Sequence, residues 1–222
     1  MEIYPIPGFS EPFSCFTHLF ATIVFIPWGW ILIRRGRGSR VRVVSLTLFV
    51  FATLLMLSMS GVYHLLSPGG AGRAVLARLD HAAIFVLIAG TFTPPHCILF
   101  RGVMRWGMLL VIWSIAITAI TLKSIFFADF PEWLGLCLYL GMGWMGVVSG
   151  WALLKRYGFK SIRMLLWGGI AYSVGAVFDF ARAPILITGV VGPHELFHVA
   201  VLVGLVLHWR WIYGWAHWEI AR

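Results

Sequence analysis

Apolar residues in this chain fall into long unbroken runs, without the alternation of a strand or the one-sided stripe of a surface helix. Seven runs of about 17–24 residues recur, each long enough to cross a hydrocarbon core of roughly 30 Å. They lie at roughly 16–33, 43–66, 79–100, 106–122, 133–154, 164–181 and 194–213. The pattern predicts an all-α integral membrane protein, a bundle of seven transmembrane helices with residues 1–222 as a single domain. Its connections are short and punctuated by Ser67-Pro68-Gly69-Gly70, Pro131 and Gly192-Pro193.

Interruptions inside the runs carry further expectations. Pro27 predicts a kink in the first helix, and Thr93-Pro94-Pro95 a break or bend near the end of the third. Pro193 suits the first turn of the seventh helix, where its missing N–H costs nothing. Gly141, Gly143, Gly168 and Gly169 predict close helix packing.

Composition agrees with a membrane chain: 60% of residues are hydrophobic and 11% charged. The net charge of +9 is unevenly spread. Thirteen basic residues fall on one side of the predicted bundle: Arg34, Arg35, Arg37, Arg40, Arg42, Arg101, Arg105, Lys155, Arg156, Lys160, Arg163, Arg210 and Arg222. Four, Arg73, Arg78, Lys123 and Arg182, fall on the other. The positive-inside rule then places the N-terminus outside and the C-terminus in the cytoplasm. Anionic lipid headgroups, with no nucleic acid, account for the basic loops. Trp28, Trp30, Trp106, Trp133, Trp209, Trp211, Trp215 and Trp218 lie near run ends, as an interfacial belt would place them. Residues 1–14 have no basic n-region and no small-residue cleavage site, so the first helix reads as its own targeting signal. Together with the short loops, this fits a bacterial plasma (inner) membrane. Cys15, Cys97 and Cys137 are isolated and read as small apolar core residues.

Candidate chemistry stands out against this background. Ser60 and His64 close the second run, Asp80 opens the third, and His194 and His198 open the seventh. Helix parity brings all five to one membrane face. Polar groups at that depth are costly and mark function. His194 and His198 are i and i+4, so both rings project from one helix face, and Ser60 and His64 share that spacing. His64, His194 and His198 are the three imidazoles of a Zn²⁺ site completed by water. Asp80 would act as general base toward that water or hold it by a hydrogen bond, and Ser60 would bond the water or a substrate carbonyl. Zinc lowers the pKa of its water to about 7, which suits hydrolysis of an amide or ester bond in a membrane lipid.

Plainer readings stand beside these. His18, His81, His96, His208 and His217 read as helix–helix hydrogen bonds. Ser60 also suits a bond to its own helix. Asp80 also suits pairing with Arg78 or Arg73, or capping the third helix. Asp179 and Arg182, three apart, suit a local pair, and Tyr63 and Tyr172 suit either packing or contact with a headgroup. His194-Glu195-Leu196-Phe197-His198 also matches HExxH, the zinc metalloprotease signature, with Glu195 as base and Asp80 as remote ligand. That reading gives Ser60 and His64 no part. The three-histidine reading uses both and leaves Glu195 as an acid at a helix start.

Four stretches resemble the haemolysin III family, within the superfamily of adiponectin and progestin receptors and alkaline ceramidases. They are Phe13–His18, Ser60–His64, Leu79–Ile84 running on to Ala89–Pro94, and His194–His198. The resemblance implies seven helices, zinc on His64, His194 and His198, and Asp80 and Ser60 around the bound water. It further implies a lipid-directed hydrolase, or a non-catalytic receptor or membrane-homeostasis regulator with structural zinc. Family members with a cytoplasmic N-terminus hold the zinc near the cytoplasmic face, whereas the charge count here places both outside. A pore-forming cytolysin would need a continuous polar lumen, and these runs carry few lumen-type polar residues.

Overall fold

A chain this apolar satisfies its backbone inside lipid by closing every N–H and C=O within helices. The structure, a computed structural model, describes residues 3–218, so Arg222 of the charge count lies outside the described residues. The helices are α1 (Pro12–Arg35), α2 (Arg40–Leu65), α3 (Ala71–Leu99), α4 (Gly102–Ile125), α5 (Glu132–Trp144), α6 (Gly146–Tyr157), α7 (Arg163–Ala181) and α8 (Pro193–Trp215). α5 and α6 are consecutive parts of one span, parted at Met145. Among the described residues this gives seven apolar membrane-crossing spans and no strand, a seven-transmembrane helix bundle.

The helices outrun their apolar runs because polar residues continue them at headgroup depth. α3 starts at Ala71, two turns before the apolar run, and carries Arg73 and Arg78. Asp80 is therefore in its third turn and is not a cap. The expected break at Pro94-Pro95 does not occur, and α3 continues to Leu99. α3 is the most enclosed span, and neighbours engage its polar groups there. The Thr93 hydroxyl donates to Ala89 O at 2.9 Å and accepts from Trp113 Nε1 at 3.1 Å. α1 likewise runs through Pro27. Pro193 does take the first turn of α8, behind Gly192.

α8, α1, α2 and α3 follow one another around the bundle. α7 packs on α8, and α5 touches both α3 and α7, which closes a ring; α4 lies against α3 and α5. Within the ring, Trp209 meets Phe25 at 4.8 Å and Phe49 at 5.1 Å. Trp209 and Trp211 are thus core residues, and Trp211 donates to Ser161 O at 2.7 Å. Trp30, Trp106 and Trp133 are exposed, as belt residues should be. Cys15 is buried as expected, but Cys137 faces outward.

Glycines divide into two kinds. A Cβ on Gly175 would stand 2.5 Å from Ala200 Cβ, and one on Gly168 would stand 2.4 Å from His208 Cδ2, so these two let α7 approach α8. Gly141, Gly143 and Gly169 have no such neighbour within 4 Å. They mediate no close packing; Gly143 and Gly169 border an interior cavity instead.

Candidate metal centre

The last turn of α2 leaves backbone carbonyls without helical partners. The N-terminal segment fills that need. Ser10 N donates to Leu65 O at 3.3 Å and Glu11 N to His64 O at 3.1 Å. This lays Glu11 against the end of α2, where its carboxylate meets His64 Nδ1 at 2.5 Å. Arg73 bonds the other carboxylate oxygen and Leu66 O, with its guanidinium over the Tyr63 ring. Burial pushes the Glu11 carboxyl up, but His64 and Arg73 together outweigh it and hold the pKa down at about 2. Glu11 is an anion in this setting.

At the start of α8, Glu195 accepts from Gly192 N at 2.9 Å and from the Ser14 hydroxyl at 3.4 Å. It is 2% exposed and is not among the residues bordering the cavity. The glutamate of HExxH thus caps its own helix. One helical turn separates His194 from His198, and His194 Nδ1 lies 3.0 Å from Asp179 Oδ1.

The two helix ends bring three imidazoles together. His194 Nε2 is 3.4 Å from His64 Nε2 and 3.2 Å from His198 Nε2. Ligand-type atoms of all three lie within 4.8 Å of one another. The carboxylates at Nδ1 of His64 and His194 orient both rings, so that their Nε2 atoms face each other and that of His198. Nitrogens about 2.0–2.1 Å from one tetrahedral zinc stand about 3.3–3.4 Å apart, so the donor set fits that ion.

The ring of His198 stacks on His18, centroids 4.0 Å apart. Both nitrogens of His18 are buried without a hydrogen-bond partner among the described residues, so it is not a helix–helix hydrogen bond. His96 is one: its Nε2 meets Ser149 Oγ at 2.8 Å, joining α3 to α6. His208 is another, donating to Leu165 O at 3.0 Å. His81 bonds Ala77 O within its own helix, and His217 is exposed beyond α8.

Ser60, buried, and Asp80, half-buried, border the same cavity as the three histidines. The cavity holds about 670 Å³ and extends from this cluster toward Phe100, Trp151 and Trp211 near the other face. Asp80 pairs with neither nearby arginine: Arg78 donates to Ala74 O and Arg73 is taken by Glu11. Asp179 and Arg182 do not pair either, since Asp179 faces His194 and Arg182 holds Glu132. Tyr63 packs edge-on against His64, and Tyr172 against His208. Sequence reasoning missed Glu11 and gave Asp179 the wrong partner. The available signal was an isolated carboxylate just before the first run, because a histidine ligand needs an acceptor behind it.

A membrane bundle with three imidazoles at one end of an interior cavity, two of them backed by carboxylates, defines a class of seven-helix proteins with a candidate metal centre. The chain belongs to the haemolysin-III related family, whose model matches residues 9–209. It is 34% identical over 198 residues to Hemolysin-3 of Bacillus cereus, covering 88% of this chain and 86% of that protein. To the Hemolysin-3 homolog of Bacillus subtilis (strain 168) it is 33% identical over 171 residues, 76% of this chain and 79% of the relative. It also matches Heptahelical transmembrane protein ADIPOR2 of Oryza sativa subsp. japonica, 30% identical over 176 residues, 72% of this chain and 77% of the relative.

Proposed function

We propose that this protein is a zinc-dependent hydrolase of an amide or ester bond in a membrane lipid, with zinc on His64, His194 and His198. The observation that carries the reading is the pair of Nε2 atoms turned toward each other at 3.4 Å, each ring backed by a carboxylate. When bound, zinc supplies Lewis-acid polarisation and lowers the pKa of water to about 7. Asp80 takes the proton of the attacking water and returns it to the leaving nitrogen or oxygen. The Ser60 hydroxyl donates to the substrate carbonyl. The cavity beside these groups accommodates the lipid chain.

A purely structural zinc would need a closed site, and the cavity bordering the cluster favours the catalytic reading. The protease reading needs Glu195 as base, and its place as a helix cap argues against that. The charge distribution supports an external N-terminus in a bacterial plasma membrane, which sets the cluster at the outer face. Accessibility of single engineered cysteines to an impermeant thiol reagent tests that orientation.

The function is tested by metal content and lipid turnover of the purified protein beside His64→Ala, His194→Ala and Asp80→Ala. Loss of zinc in the histidine variants, with turnover lost but zinc kept in the Asp80 variant, is expected. Full zinc occupancy in the histidine variants would remove the site, and unchanged turnover in the Asp80 variant would remove its role as base.

A further inference from the structure

Four cations lie on the face that carries the histidines, and three of them have oxygen partners. Arg73 bonds Glu11 and Leu66 O, Arg78 bonds Ala74 O, and Arg182 bonds Glu132. The fourth, Lys123 in the last turn of α4, makes no hydrogen bond and no salt bridge among the described residues. Lys123 is nevertheless 9% exposed, and it borders the same cavity as Asp80 and the three histidines. Its ammonium lies 4.9 Å from the centroid of Phe130 and 5.8 Å from that of Tyr139. Gly135 makes the room, since a Cβ there would stand 3.2 Å from Nζ.

Ring faces attract an ammonium but accept none of its three N–H bonds in the way an oxygen does. A position near a helix C-terminus favours a cation, but does not require the head to border a cavity. Glu132, on the facing end of α5, acts on Lys123 through its charge, but both its oxygens are bonded by Arg182 and neither contacts the ammonium. Asp80 shares the cavity without reaching salt-bridge distance. A buried cation that borders a cavity with no oxygen in direct contact is costly at membrane depth, unless the occupant of the cavity supplies one.

We infer that Lys123 binds the anionic headgroup, a phosphate or carboxylate, of a lipid whose chain fills the cavity. This rests on the lipid-hydrolase reading for the occupant and adds its charge class. The substrate is then an anionic lipid, held by its head beside the histidine cluster while its chain lies among apolar side chains.

Binding to the intact protein in maltoside micelles, read by tryptophan fluorescence, tests this with three probes. They are dodecyl phosphate, zwitterionic dodecylphosphocholine and inorganic phosphate. Dodecyl phosphate is expected to bind at least tenfold more tightly than dodecylphosphocholine. Lys123→Met should abolish that preference and Lys123→Arg should retain it, with thermal unfolding confirming that both variants fold. Equal affinity for the two dodecyl probes, or an intact preference in Lys123→Met, would overturn the inference. Inorganic phosphate binding as tightly as dodecyl phosphate would overturn the lipid as its source. Because the readout is binding, an anion preference without lipid turnover would remove the hydrolase and leave this subsite. Turnover without the preference would remove the subsite alone.

Discussion

Glu11 offers the most direct test of how the cluster is held. It lies outside the membrane spans, yet it fixes the His64 ring at Nδ1 and neutralises Arg73. Carboxylates that orient a ligating histidine typically contribute 10–100-fold to metal affinity, or about 1.4–2.7 kcal/mol. Glu11→Gln keeps a carbonyl that still accepts from Nδ1 but loses the charge, so a loss of about tenfold is expected. Glu11→Ala removes the acceptor, frees the ring to turn and leaves Arg73, whose side chain is 13% exposed, without its anion. Its affinity loss should approach 100-fold, with a further stability cost of about 1–3 kcal/mol. Glu132→Gln is the matched control: that pair is 72% exposed on both sides and should leave affinity unchanged. Zinc affinity is measured by competition with a fluorescent chelator in detergent, and stability separately by thermal unfolding. Glu11→Ala with zinc affinity within twofold of the parent would refute the reasoning.

Gly175→Ala should lower stability by about 1–3 kcal/mol, because the new methyl meets Ala200 Cβ, which cannot rotate away. Gly169→Ala, facing open space, should be near neutral in the same unfolding assay. Ser149→Ala strips the partner from buried His96 and should cost about 1–3 kcal/mol without altering zinc affinity. Glu195→Gln should cost about 0.5–2 kcal/mol as a weakened helix cap. It should leave lipid turnover intact, whereas a protease using Glu195 as base would lose its activity.

The spans were legible because lipid demands unbroken apolar length, a property each segment carries alone. The histidine spacing on α8 was legible for a similar local reason, since i and i+4 share a face in any helix. What was not legible is set by contacts between elements. Glu11 reaches a histidine 53 residues away, and an isolated carboxylate before the first run does not say which residue it will meet. Arg182 appeared to be a partner for Asp179, but it takes a left-handed backbone with φ of 56° where α7 ends. Its guanidinium therefore reaches Glu132 at the start of α5 and leaves Asp179 to His194. The Pro94-Pro95 pair illustrates the opposite error: a strong local breaker did not end α3, the most enclosed of the spans. Glycines could not be sorted by sequence either, since Gly168 touches α8 and the adjacent Gly169 faces the cavity.

X-ray absorption at the zinc edge, on protein purified without added metal, tests the central claim most directly. The account requires one zinc per chain with three imidazole nitrogens at about 2.0–2.1 Å, and loss of that signal in His64→Ala. Protein that carries no zinc, or zinc whose shell is unchanged when His64 is removed, would contradict it.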